Sequence, residues 1–339
     1  MSRMTRLLCG LVLIQVIIFH GLNAREMPRL NRDNRPKRIY TTQRIQSQPP
    51  KIDGVLNDDC WEEGVWAGQF TQFMPYNYAK PSQESEFKVL YDDKYIYAAF
   101  RLFDDPDKII RQAGRRDAFS GDIVGISFDS YHDLRTSFEF NITAAGSKID
   151  LILIDKRMYK NWDPVWYGST SLEDSAWTAE MKIPFSQLRF ANKEEHVWGM
   201  HVWRWTKRYN EEDQWNVFPI DTPSWVDQFG ELHGVKNLKN VRRFELLPYS
   251  MGRQKFYPKE EGNPYADGRD FKYNMGLDGK IGVSSDFTLD FTVNPDFGQV
   301  EADPSTLNLT AYETFYEEKR PFFLEGENIF DFHLNGARV

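Results

Sequence analysis

The chain has 339 residues, a formal net charge of −8, and 41% hydrophobic and 15% aromatic residues. The acidic balance excludes nucleic acid as a general partner and fits an uncharged or basic ligand. With two cysteines, one of them inside an N-terminal apolar run, a disulfide framework is excluded too, so the fold rests on burial.

Residues 1–24 have the form of an export signal. Arg3 and Arg6 open it, Leu7 to Phe19 is a mostly apolar run too short to span a bilayer, and Leu22-Asn23-Ala24 offers a cleavage site. Cleavage would leave Cys60 as the single thiol. Residues 25–48 hold seven basic side chains, few apolar ones and no sustained period, and are expected to form a disordered, solvated basic linker.

From 49 to 240 the pattern is short strands and turns. Asp53-Gly54 is a turn signal, and Asn57-Asp58-Asp59 opens a brief helical turn ending on Trp61. Glu86 to Tyr91 and Tyr95 to Phe103 flank the hairpin turn Asp92-Asp93-Lys94. Strands are expected at 122–128, 136–142, 148–154, 177–183 and 197–206, with no long amphipathic helix between them. The economical architecture is all-β, an antiparallel β-sandwich of two packed sheets.

Near Phe244 the pattern changes. Tyr273, Met275, Leu277 and Ile281 alternate with polar residues, Ser284-Ser285-Asp286 makes a turn, and Phe287, Leu289, Phe291 and Val293 alternate again. Such strands suit an outer-membrane barrel, although a soluble sheet with one wet face alternates in the same way. Three or four such strands are too few to close a barrel, whose smallest single-chain examples have about eight. Residues 241–339 are therefore expected to be the N-terminal part of a truncated barrel-like domain.

Several motifs in order carry a family resemblance. Pro49 to Trp61, Tyr91 to Tyr97, Asp122 to Asp129, Trp177 to Phe185 and Phe229-Gly230-Glu231-Leu232 resemble family 9 carbohydrate-binding modules, over residues 49–240. Further on, Phe297 to Asp303 and Tyr316 to Gly326 look like a bacterial family that joins such a module to an outer-membrane barrel resembling TonB-dependent receptors.

The resemblance implies a sugar clamped between two aromatic rings, here Phe119 and Trp225, with Phe119 standing where binding members usually carry tryptophan. It implies polar contacts from the strand Phe138 to Asn141. Glu139 stands there in place of an arginine, Asn141 keeps its type, and Gly125 replaces an acidic residue on the neighbouring strand. Family 9 modules often bind structural calcium, for which Asp129 and Asp133 are weak candidates beside the plainer reading of exposed turn charges. No other cofactor is implied. Met200-His201 invites a haem reading but sits in a strand-like run and reads as structural. No catalytic constellation, phosphate loop or nucleophile elbow is present, so no catalytic residue is named.

The function expected is non-catalytic binding of an oligo- or polysaccharide by an exported, outer-membrane-associated protein, aiding glycan capture or uptake. The sandwich would lie in the periplasm or barrel lumen, and the C-terminal strands would meet outer-membrane lipid. A structural plug or assembly domain without sugar binding is the alternative, and an ancillary part of a glycoside hydrolase system comes third.

Overall fold

The computed structural model describes residues 35–160, 162–238, 244–259, 262, 268–283, 288–295, 333–334 and 337–338. Residues 1–24, the Ser284-Ser285-Asp286 turn and the motifs at Phe297 to Asp303 and Tyr316 to Gly326 lie outside them. Among the described residues the regular elements are strands and single-turn 3-10 segments, as the short alternating runs dictate.

Two sheets form the sandwich. The larger, nine-stranded sheet runs in the order β1 (Ile39–Thr41), β14 (Gly230–Lys236), β12 (Glu195–Thr206), β6 (Ile123–Asp129), β7 (Thr136–Thr143), β8 (Lys148–Ile154) and β9 (Arg157–Tyr159). β13 (Glu211–Gln214) pairs with the far end of β12 and carries β3 (Thr71–Met74) on its other edge. The smaller sheet has five strands, β10 (Tyr167–Leu172), β11 (Ala176–Pro184), β5 (Tyr95–Phe103), β4 (Ser85–Tyr91) and β2 (Gln43–Arg44).

Alternation decides what each face does. Val124, Ile126 and Phe128 of β6, Phe138, Phe140 and Ile142 of β7, and Trp198, Met200 and Val202 of β12 point inward. They meet Val89, Phe100, Trp177, Met181 and Ile183 of the smaller sheet in one continuous core. Fully burying each large apolar side chain contributes about 1.5–3 kcal/mol. The next residues along β12 and β6 (His201, Trp203 and Trp205; Ile123, Gly125 and Ser127) occupy the outer face of the larger sheet and pair across it. At the end of the sandwich the fully buried Arg204 bridges the sheets, pairing with Asp104 at 3.1 Å and donating to the Glu84 and Phe103 carbonyls.

The expected linker is corrected in its second half. Lys37, Tyr40 and Thr42 are buried, β1 pairs in parallel with β14, and β2 pairs in parallel with β4. The Tyr40 hydroxyl donates to the Val65 carbonyl at 2.8 Å, and Arg38 donates to the carbonyls of Gly68, Gln69 and Trp215. The guanidinium makes these bonds at its tip while its stem packs, so a basic run here is glue between loops. The sandwich thus begins by Ile39, before Pro49.

Beyond it, β15 (Phe244–Phe256), β16 (Arg269–Gly282) and β17 (Thr288–Val293) form a three-stranded antiparallel sheet. Cross-strand register places Phe244 opposite Ile281 and Ile281 opposite Leu289, so apolar residues share one face. Phe244, Leu246, Tyr273, Met275, Leu289 and Val293 on that face are exposed. No helix among the described residues is long and apolar enough to cross a membrane.

Candidate functional site

The outer face of the larger sheet is hollowed into a cleft of about 290 Å³. Its floor is Trp203 and Trp205 of β12, Glu139 of β7 and Glu212 and Gln214 of β13. Phe119, before β6, and Trp225, at the start of the 3-10 turn Val226–Gln228, both line it. Met158, Phe218 and Phe229 complete apolar walls, and Lys207 stands at the mouth. The two aromatic residues expected from the sequence are therefore brought to one cavity.

Phe119 is 41% exposed and carries the Lys160 ammonium over one face at 4.6 Å. Trp225 is half-buried, held by its backbone N–H on the Asp155 carbonyl at 3.0 Å and by an edge contact from Phe73. Its indole N–H has no partner. Of the polar candidates, Glu139 is buried and lines the cleft, accepting from Ser127 Oγ at 2.7 Å, from Asn141 Nδ2 at 3.0 Å and from the Trp203 indole. Burial raises its pKa. Asn141 does not line the cleft; it stands behind Glu139 and orients it. Gly125 explains the geometry. A Cβ there would meet Asn141 Oδ1 at 1.9 Å and Trp203 Nε1 at 2.5 Å, so only glycine lets both side chains lie across β6.

The sequence did not single out Glu212, Gln214, Trp203 and Trp205 as site residues, and His201 reads from it as structural. Glu212 accepts from Gln214 Nε2 at 2.7 Å, and burial followed by repulsion from Glu139 pushes its pKa to about 7. Gln214 Oε1 and His201 Nδ1 are buried in the wall without partners. Desolvation drives the His201 pKa down to about 3, leaving a neutral ring stacked on Phe229. Met200, its neighbour, faces the core, so the two side chains lie on opposite faces of one strand.

Asp129 and Asp133, the calcium candidates, are engaged within the protein. Asp129 is fully buried, both its oxygens accept backbone N–H groups of Asp133 and Leu134, and burial raises its pKa to about 6. Asp133 Oδ1 caps Arg135 and Thr136. These carboxylates fix the β6–β7 loop, and among the described residues no group of three or more His, Cys, Asp or Glu is placed to hold a metal.

Comparison with known proteins follows the same division of the chain. Residues 52–233 match a family model described as Carbohydrate family 9 binding domain-like, and residues 241–333 match one described as Domain of unknown function (DUF5916). A carbohydrate binding module family 9 from Caldicellulosiruptor kristjanssonii in complex with glucose is 16% identical, with a TM-score of 0.44, covering 60% of this chain and 99% of that one. One from the same organism in complex with cellotriose is 17% identical, with a TM-score of 0.44, covering 60% and 96%. No curated protein matches the chain.

Proposed function

The chain belongs, through residues 52–233, to the Carbohydrate family 9 binding domain-like family, and on that premise we propose that it binds an oligo- or polysaccharide end without cleaving it. The observation that carries this reading is the cleft itself, lined by the aromatic rings of Phe119, Trp203, Trp205 and Trp225 together with the carboxylates of Glu139 and Glu212 and the amide of Gln214. A pyranose has two kinds of surface, C–H faces that stack on rings and hydroxyls that need buried donors and acceptors. Phe119 and Trp225 supply the first, and Glu139, Glu212 and Gln214 the second. At about 290 Å³ the cavity is at the small end for ligand sites, which favours a chain end over a chain middle.

Calorimetric titration with xylo-, cello- and manno-oligosaccharides tests the reading. Saturable binding to at least one is expected, and a flat response to all three from folded protein would overturn it.

The proposal extends to location: the protein is exported, and β15–β17 are early strands of an outer-membrane barrel that keeps the sandwich in the periplasm or lumen. Support comes from the signal-like residues 1–24 and from the apolar face of β15–β17, exposed at Phe244, Tyr273, Met275 and Leu289. Fractionation of cells that make the native protein tests it, and recovery in the soluble periplasmic fraction would rule it out.

A further inference from the structure

The polar inventory of the cleft is lopsided. Glu139 and Glu212 place two carboxylates in it, close enough for Glu139 to repel charge on Glu212. Gln214, 2% exposed, holds an acceptor oxygen with no partner buried behind them. The donors that touch the two carboxylates are protein groups, Gln214 Nε2 on Glu212 and the Trp203 indole and Asn141 Nδ2 on Glu139, while the Lys156 and Lys160 ammonium groups sit on the rim rings and the Trp225 indole N–H is buried. Among the described residues neither carboxylate has an ion-pair partner, and the neutral His201 supplies no positive charge. Lys207 is exposed at the mouth, where water screens it.

A hydroxyl can donate to one of these carboxylates but brings no charge to balance the pair. An ammonium brings three donors, no acceptor and the compensating charge. The walls favour the same group, because the faces of Trp203, Trp205 and Trp225 attract cations, as Lys156 over Trp225 and Lys160 over Phe119 already illustrate at the rim.

We propose that the preferred ligand is a saccharide bearing a protonated amine, an amino sugar whose ammonium docks against Glu139 and Glu212. This rests on the sugar-binding reading and narrows it to a substrate class.

Three trisaccharides differing at the C2 substituent separate the two ideas: cellotriose with a hydroxyl, the glucosamine trimer with an ammonium, and the N-acetylglucosamine trimer with a neutral amide. Titrated into the full chain at low ionic strength, the glucosamine trimer is expected to bind at least tenfold tighter than the other two. Added salt should shrink that advantage. Glu212→Gln should lower the ratio below threefold, with far-UV circular dichroism confirming the fold; Glu212 is only half-buried, which makes it the safer substitution than Glu139→Gln. Equal or weaker binding of the glucosamine trimer, with cellotriose still bound, would overturn the inference and leave the sugar reading standing. An undiminished ratio in Glu212→Gln would also overturn it. Failure of all three trimers and of the neutral oligosaccharide panel would remove both.

Discussion

Trp61 and Glu180, 119 residues apart in sequence, meet in a buried hydrogen bond of 2.8 Å from the indole N–H to Glu180 Oε1. The backbone N–H groups of Asp53 and Gly54 converge on the other oxygen at 3.0 and 2.8 Å. One carboxylate thus closes the Ile52-Asp53-Gly54 turn and the Trp61 anchor onto β11. Gly54 is needed for the approach: its φ is +93°, and a Cβ would meet the Thr170 carbonyl carbon at 2.5 Å.

Glu180→Gln keeps the shape but replaces one acceptor oxygen by an NH2 group, which must face either the indole or two backbone donors. The expected cost is about 1–3 kcal/mol, that of a buried donor left unpaired. Urea denaturation should show a lower midpoint with an unchanged slope.

Stability should fall as pH rises from 6.5 to 8. Burial pushes the pKa of Glu180 and Glu212 to about 7 and that of Asp213 to about 8. Each binds its proton more tightly folded than unfolded, so its contribution is complete at low pH and lost as pH climbs through the folded value. Histidine does not oppose this above its ordinary value of 6.5, where both states are largely neutral. Thermal melts across this range check the slope, and Glu180→Gln should flatten it.

Trp225→Ala should weaken saccharide binding about five- to tenfold, since one stacking face contributes on the order of 1 kcal/mol. Phe119→Trp should preserve or tighten binding by enlarging the opposite platform. Calorimetry reads both, and loss of the cooperative melt in Trp225→Ala would mark the residue as structural instead.

For the C-terminal sheet, Leu289→Asp should impair membrane insertion, at a cost below the roughly 2–4 kcal/mol of a midplane Lys or Arg. Arg253→Asp, opposite Lys272 on the other face, should be mild. Carbonate extraction of membranes from cells making each variant distinguishes them.

Much of the sandwich was legible because strand periodicity is local. Lys148–Ile154 was read residue for residue, and the Asp92 hairpin closes as its turn chemistry dictates, with Asp92 Oδ1 accepting from Lys94 and Tyr95. Phe119, Trp225 and Glu139 came from the resemblance, and all three line the cleft. Trp203 and Trp205 were hidden because β12 carries large apolar side chains on both faces, so its apolar run does not say which face is core. The usable signal was His201, Trp203 and Trp205 at alternate positions, opposite Trp198, Met200 and Val202. Glu212 and Gln214 owe their place to β13 pairing with β12, a contact no local pattern encodes. β1 and β2 were missed for the same reason: strands of three and two residues hold through partners nearly 200 and about 50 residues away.

The pairing of β1 with β14 also governs how the domain carries force. The two strands are parallel, from Ile39 opposite Glu231 to Thr41 opposite His233, and further bonds join Glu231 N to the Arg38 carbonyl and Thr42 N to the His233 carbonyl at 2.8 Å. Tension applied between the N-terminal side of β1 and the C-terminal side of β14 pulls parallel neighbours in opposite directions. All the bonds between them are then sheared together, where an antiparallel pair loaded from one end would unzip one bond at a time. Forced unfolding is governed by the rate of crossing that barrier, and separating the pair also uncovers Tyr40 of the core.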